Sequence, residues 1–369
     1  MFKNKSKLGL ALGAIVIIIV ITLASVANEK PKKDLINKPT LNNSLRIPIT
    51  ERSFKIGVVP TPRNFPRFSQ KDLTAAYEEA SELGEIIPIW VNPCSIGALE
   101  RLQENQVVEM VRKFGALPLI HMNFYKVAFV GGGKGLGLVV DAPYDTNLSD
   151  PRFRQEWKSE AVAIAAIYKP EYMSLGNEVN AWYIFNPESF DDYVSLYKET
   201  YNAIKEVSPR TKVFVTFSYE QLLYGIGNLS SDLPHWFLIE KFMPKLDLLA
   251  FTTYPWKIFD KPADIPDDYY RRISYHVSVP VAFTEIGWAS SSDKFEVSEE
   301  EQARFLIRFL NLTKDMDLEF VLWLFLHEME AEGTSKEAGS IALKRSDGSE
   351  KPVFNIWLQL KKLSYDEGP

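Results

Sequence analysis

From Phe54 onward the chain alternates short apolar runs with longer amphipathic stretches. The short runs read as strands buried on both faces, and the amphipathic stretches, apolar at every third or fourth position, read as helices. A strand over residues 55–59 is followed by a Pro-containing loop and a helix near 70–83. A strand at 86–91 leads to a helix near 98–114, and a third strand lies at 117–122. After an excursion through 126–143, a helix near 150–168 leads to the fourth strand at 172–175. The helix near 190–207 stops at Ser208-Pro209, and the fifth strand covers 213–217. A helix around 234–242, a strand at 246–251, a helix near 267–276 and a strand at 281–284 follow. The helix near 298–314 opens on Ser298-Glu299-Glu300-Glu301, a capping pattern with acids in its first turn. A strand at 320–325 and a helix near 354–362 close the chain. Eight strands in strict alternation with eight helices is the count of an α/β (β/α)8 TIM barrel, expected here over residues 53–369.

The pattern breaks at the two places where the chain does something else. Lys3, Lys5 and Lys7 precede an uncharged apolar run from Leu8 to Ala27. A secretory apolar core spans about 7–15 residues and a membrane-spanning helix about 20. Residues 1–27 are therefore expected to be a signal peptide or a transmembrane anchor. The length favours the anchor, while Ser25-Val26-Ala27 has the small residues of a cleavage site. The basic flank stays inside, so the rest is expected outside the cell, at the surface or secreted. Residues 28–52, rich in Asn, Lys, Pro and Ser, read as a linker. The second break is Val130-Gly131-Gly132-Gly133-Lys134-Gly135-Leu136-Gly137. It lacks the Gly-Lys-Ser/Thr of a phosphate-binding loop, and apolar runs flank it on both sides. A β-hairpin over the barrel mouth is expected.

Composition narrows the chemistry. The 369 residues are 46% hydrophobic with a net charge of −6, which argues against a nucleic-acid surface. Cys94 is the lone cysteine, so no intrachain disulfide and no Cys-based metal site can form. The four histidines are scattered, without the paired spacing of a zinc hydrolase. Neither a metal nor an organic cofactor is expected, and oligomeric state leaves no mark in the sequence. Aromatic residues make up 13% of the chain, which serves core packing or sugar stacking. Sequons stand at Asn42, Asn147, Asn228 and Asn311.

Barrels of this type place their chemistry at the C-terminal ends of the strands. The fourth strand ends Leu175-Gly176-Asn177-Glu178, and the seventh ends Thr284-Glu285-Ile286-Gly287-Trp288. Strands four and seven of a closed eight-stranded barrel face each other across the mouth. Two carboxyl groups can then converge on one bond, one as acid and one as nucleophile, as glycoside hydrolysis requires. Either Glu alone would read as a helix cap or a surface ion pair.

This pairing resembles the retaining "4/7" barrels of glycoside hydrolase clan A, over residues 54–363. The resemblance implies that Glu178 is the acid/base, Glu285 the nucleophile, and Asn177 a ligand of the sugar 2-hydroxyl. It implies that Tyr254, in Thr253-Tyr254-Pro255-Trp256, hydrogen-bonds the nucleophile and that Trp323 floors the cleaved sugar's subsite. His121 ends the third strand, where several clan members keep a histidine. Trp182 and Trp288 follow the two glutamates and serve either stacking on sugars or packing. Within the clan, Trp90-Val91-Asn92-Pro93, Gly176-Asn177-Glu178 and Tyr254-Pro255-Trp256 are similar to family 53 endo-β-1,4-galactanases, and Trp90 becomes a further substrate-binding candidate. The chain departs from that family at Pro88, where the family has arginine, and at Met122-Asn123-Phe124-Tyr125, where it has an acidic, tryptophan-containing segment. Thr284-Glu285-Ile286-Gly287-Trp288 also resembles family 17 β-glucanases. The expectation is an extracellular retaining glycosidase acting on β-linked poly- or oligosaccharide. The alternatives are a non-catalytic carbohydrate-binding protein on the same barrel, or a transglycosylase using the same residues.

Overall fold

The computed structural model of the chain describes residues 45–91, 97–130, 133–139, 147–226, 233–330 and 334–365. The expected signal or anchor, most of the expected linker, Cys94, Asn92 and Pro93 lie outside these. Among the described residues no helix is long and apolar enough to cross a membrane. Residues 45–52 lie along the barrel: Ile47 N–H donates to Gln359 Oε1, and Gln359 Nε2 donates to the Leu45 carbonyl.

One parallel sheet forms the core. Its strands are β1 (Lys55–Val58), β2 (Ile86–Trp90), β3 (Leu117–His121), β6 (Tyr172–Ser174), β7 (Lys212–Phe214), β8 (Thr216–Ser218), β9 (Leu249–Thr253), β10 (Val281–Ile286) and β11 (Leu318–Trp323). They are ordered β7-β6-β3-β2-β1-β11-β10-β9-β8. The ends of this order, β7 and β8, are two halves of one stave divided at Val215. The half β7 pairs with β6, and β8 pairs with β9. Asp247 N–H also reaches the Val213 carbonyl at 3.1 Å, and Thr216 N–H reaches Gly176 at 2.9 Å. The ring is therefore closed, with the expected eight staves.

Every residue of β9 and β10 is buried, as a sheet covered on both faces demands. A Cβ on Gly57 would sit 2.0 Å from the Ile86 carbonyl oxygen, so β1 approaches β2 more closely than any side chain permits. Outside the sheet lie α1 (Gln70–Leu83), α2 (Ala98–Asn105), α3 (Val107–Lys113), α4 (Pro151–Tyr168), α5 (Val179–Phe185), α6 (Phe190–Val207), α7 (Tyr219–Tyr224), α8 (Phe237–Glu240), α9 (Glu299–Thr313), α10 (Lys336–Gly339) and α11 (Pro352–Lys361). Their starts follow the sequence signals: Ser69 and Asp72 form a reciprocal cap on α1, and Ser298 caps α9.

Three departures from the expected elements have local causes. The helix expected over 98–114 is two, because Gln106 takes a left-handed φ of 49°. The helix expected near 267–276 is a 3-10 segment, Arg271–Tyr275, so the alternation of strands and α-helices is not strict. Tyr269 and Tyr270 are both fully buried there. They sit in the turn just before the 3-10 segment, outside any helical period. The eighth strand ends at Trp323 and not at 325, since Phe325 leaves the extended region with φ 67°. The excursion is the antiparallel hairpin expected, β4 (Tyr125–Val130) paired with β5 (Gly133–Leu138).

Candidate active site

The fourth stave is short, and its end is built by a close approach. A Cβ on Gly176 would meet the Tyr193 hydroxyl at 2.3 Å and Val179 Cγ1 at 2.6 Å. The chain can therefore turn sharply, and Glu178 enters α5 as its N-cap with φ 49° and ψ 46°. That conformation costs a non-glycine residue about 1–2 kcal/mol and needs outside support. Tyr125 supplies it, donating its hydroxyl to the carbonyls of Asn177 at 2.7 Å and Glu178 at 3.1 Å. Asn123 Oδ1 accepts the Asn177 N–H at 3.2 Å. The seventh stave aims its own carboxyl differently. The register of β10 against β9 shifts between Phe283 and Glu285, a bulge that re-aims the side chain.

Glu178 and Glu285 are both buried, at 2% and 4% exposure. Asn177 Nδ2 donates to Glu285 Oε1 at 3.3 Å, and Tyr254 donates its hydroxyl to Oε2. Both oxygens of Glu285 thus face donors. Glu178 differs: Thr252 donates to Oε1 at 2.6 Å, and the buried Oε2 has no hydrogen-bond partner among the described residues.

Burial and the charge of Glu178 push Glu285 up to about 8, against the pull of Tyr254, Asn177 and Lys257. Burial likewise raises Glu178, against Thr252, Lys257 and Ser218. Buried carboxyls whose charges oppose one another titrate as a pair, the first proton lost making the second harder to lose. Burial is the larger cause of the rise at Glu285 and the charge of Glu178 the next, so the donors bear on where a shared proton sits. The two direct donors to Glu285, against the one to Glu178 and its unpartnered Oε2, favour the proton on Glu178.

The half-buried Lys257 ammonium lies 5.2 Å from the Tyr254 ring centre and 5.6 Å from that of Trp256. Burial lowers its pKa, and the charges of Glu178, Glu220 and Glu285 raise it back in part. Glu220 is a third buried carboxyl, accepting from Thr253 Oγ1 at 2.7 Å and from the Tyr254 N–H at 2.9 Å. It follows β8 as Glu178 follows β6, so the same strand-end criterion finds it. Thr252, Lys257, Asn123 and Tyr125 carry no comparable signal.

The structure thus gathers Asn177, Glu178, Tyr254 and Glu285 into one network. His121 lies at the end of β3, 1% exposed, flat against the half-buried Trp90 at 3.9 Å between ring centres. Neither ring nitrogen of His121 has a partner among the described residues, and burial pushes its pKa down to about 3, so it stays neutral. Trp288 is fully buried beside Phe305, with its indole N–H unpartnered among the described residues. Trp182 packs against Phe124 and Tyr125 and donates to Ser189 Oγ, which makes it a prop for α5. Trp323 does not take the expected place on the floor of a sugar subsite. Its ring instead contacts Phe305 and Trp357 in the helix layer, and its N–H is taken by the Ile341 carbonyl at 2.9 Å.

No protein-family model matches the sequence, and no curated protein does. Solved structures share the architecture. An exo-β-1,4-mannosidase from Opitutaceae bacterium strain TAV5 superposes with a TM-score of 0.62 at 15% identity, over 88% of this chain and 62% of that one. A GH5_18 protein from Streptomyces cattleya, in complex with Manβ1-4GlcNAc, gives 0.64 at 14% identity, over 86% and 82%. The GH53 catalytic domain from Ignisphaera aggregans gives 0.53 at 15% identity, over 89% and 100%. The chain thus spans under two thirds of the mannosidase. At these identities the likeness shows the fold, which is the (β/α)8 barrel.

Proposed function

We propose that this protein is a retaining glycoside hydrolase acting on β-linked sugars in a poly- or oligosaccharide. The observation that carries the reading is the asymmetric pair: two buried carboxyls on facing staves, one held by two donors and the other with an oxygen unpartnered among the described residues. The neutral Glu178 donates its proton to the glycosidic oxygen while Glu285 attacks the anomeric carbon. The carbon–oxygen bond breaks, and the leaving alcohol departs with the proton. A glycosyl ester on Glu285 remains. Glu178, now a carboxylate, takes a proton from water as the water oxygen attacks the same carbon and expels Glu285. A sugar hydroxyl in place of water would give transfer by the same step. Asn177 Oδ1, buried and unpartnered among the described residues, offers an acceptor to a sugar hydroxyl. The names of the superposed structures support a β-linked substrate, and the lysine-flanked apolar N-terminus supports action outside the cell.

The test is hydrolysis of a panel of aryl β-glycosides by the purified protein, with proton NMR of the first-formed anomer. Turnover with retained configuration, lost in Glu285→Gln, is expected. An inverted product would refute the double displacement. Oligosaccharide binding without turnover would leave a binding protein.

A further inference from the structure

The segment Asn123-Phe124-Tyr125, where the hairpin leaves the barrel, grips the end of the fourth stave at every residue. Asn123 holds the Asn177 N–H through Oδ1 and the Tyr125 carbonyl through Nδ2. Phe124 stacks on Tyr193 at 3.8 Å, and the Tyr193 hydroxyl donates to the Leu175 carbonyl at 3.0 Å. Tyr125 shares one hydroxyl proton between the carbonyls of Asn177 and Glu178. Consecutive carbonyls turn toward one donor only where the backbone departs from extended geometry, as the left-handed Glu178 does.

We propose that Tyr125 is a positioning residue for Glu178: its hydroxyl fixes the left-handed peptide that aims the acid at the leaving-group oxygen, and so ties the root of the hairpin to proton donation. Tyr125 is 1% exposed, so removing its hydroxyl leaves two buried carbonyls short of a donor. Burial, followed by the charges of Glu178, Tyr193 and Glu285, raises its pKa well above the ordinary value, which keeps it a donor. Glu285 keeps Tyr254, a donor that Tyr125 does not touch, while Asn177 is shared between the two carboxyls. The larger effect of Tyr125 therefore falls on the acid, and the inference rests on the glycosidase reading.

Tyr125→Phe keeps the ring and removes the donor. In the full-length protein, kcat/KM is measured for β-glycosides of one sugar with leaving groups from dinitrophenol to simple alcohols. General acid catalysis is worth roughly 10²–10⁴-fold, so a misaimed acid should lose about tenfold or more on alkyl glycosides and under about twofold on dinitrophenyl ones. In Glu178→Gln, adding Tyr125→Phe should change nothing further. Equal losses across leaving groups, or additive losses in the double variant, would overturn the proposal. Should Tyr125→Phe fail to fold, Asn123→Ala, which frees the Asn177 amide, enters the same series. A second readout needs no turnover. A carbon-13 titration of the Glu178 carboxyl should show its raised pKa falling toward the ordinary range in Tyr125→Phe, and an unmoved value counts against the brace. If the wild type hydrolyses no β-glycoside, the glycosidase reading fails, and this titration alone decides whether Tyr125 governs Glu178.

Discussion

Replacing Glu178 by Gln should flatten the dependence of stability on pH. In the wild type, Glu285 is raised from an ordinary 4.5 to about 8 by burial and by the charge of Glu178. The native state then holds a proton that the unfolded chain has already released. The stability this confers is complete below about pH 4.5 and is lost as the pH climbs to about 8. Every tenfold gain in proton affinity on folding is worth about 1.4 kcal/mol, so the loss is about 5 kcal/mol at most. Glutamine at 178 keeps the shape of the protonated acid but cannot carry the opposing charge. Glu285, still buried and still held by Tyr254 and Asn177, then loses the part of its rise that came from the charge of Glu178.

The assay is urea denaturation at pH 5, 6, 7 and 8, comparing wild type with Glu178→Gln. Carboxylates whose pKa is lowered, such as Glu85 and Glu319, act in the acid range and cancel in the comparison. The variant should gain on the wild type steadily from pH 5 to 8, by less than half of that ceiling, because burial of Glu285 stays. Parallel curves would mean that the two carboxyls do not share a proton, and the assignment of acid and nucleophile would lose its basis.

Three further outcomes follow from single contacts. Tyr254→Phe removes a hydroxyl donor to an ionised carboxylate, worth about 1.5–3 kcal/mol. It should cost about 10- to 10²-fold in kcat/KM and move the acid limb of the pH–rate profile upward, since losing a donor raises Glu285 further. Gly57→Ala presses a methyl into the Ile86 carbonyl, whose backbone cannot swing away, and should cost about 3 kcal/mol or more in a denaturant titration. Trp323→Ala should cost about 3–5 kcal/mol of stability while leaving KM for a small aryl glycoside near the wild-type value. A raised KM with unchanged stability would restore the sugar-floor role.

The staves are legible in the sequence because a sheet covered on both faces writes itself as uninterrupted apolar runs, and 281–284 lies wholly within the observed β10. The carboxyl pair is legible for the same reason: an acid directly after such a run stands out. The shell is not. Tyr269 and Tyr270 are both buried in an irregular turn ahead of the 3-10 segment Arg271–Tyr275, a placement that no helical period expresses. Trp323 ends a stave as a site residue would, yet its ring contacts lie on α9 and α11. The direction of a side chain at a strand end is set by the neighbouring elements.

The least legible part is the most telling about how this barrel works. Met122-Asn123-Phe124-Tyr125 is a departure from the family 53 pattern, and by sequence alone it weakens the resemblance. In the fold, Asn123 and Tyr125 hold the backbone at Asn177 and Glu178, and Phe124 stacks on Tyr193, which holds the Leu175 carbonyl. A left-handed glutamate is unfavourable by itself and can be aimed by any scaffold that supplies donors to its carbonyls. On the proposed reading the two carboxyls need a fixed geometry relative to a sugar, whereas the groups that fix it need only be buried, rigid and correctly placed. The acid's backbone is thus fixed by residues that a strand-end motif does not contain, which is why the sequence shows the carboxyls and hides their support.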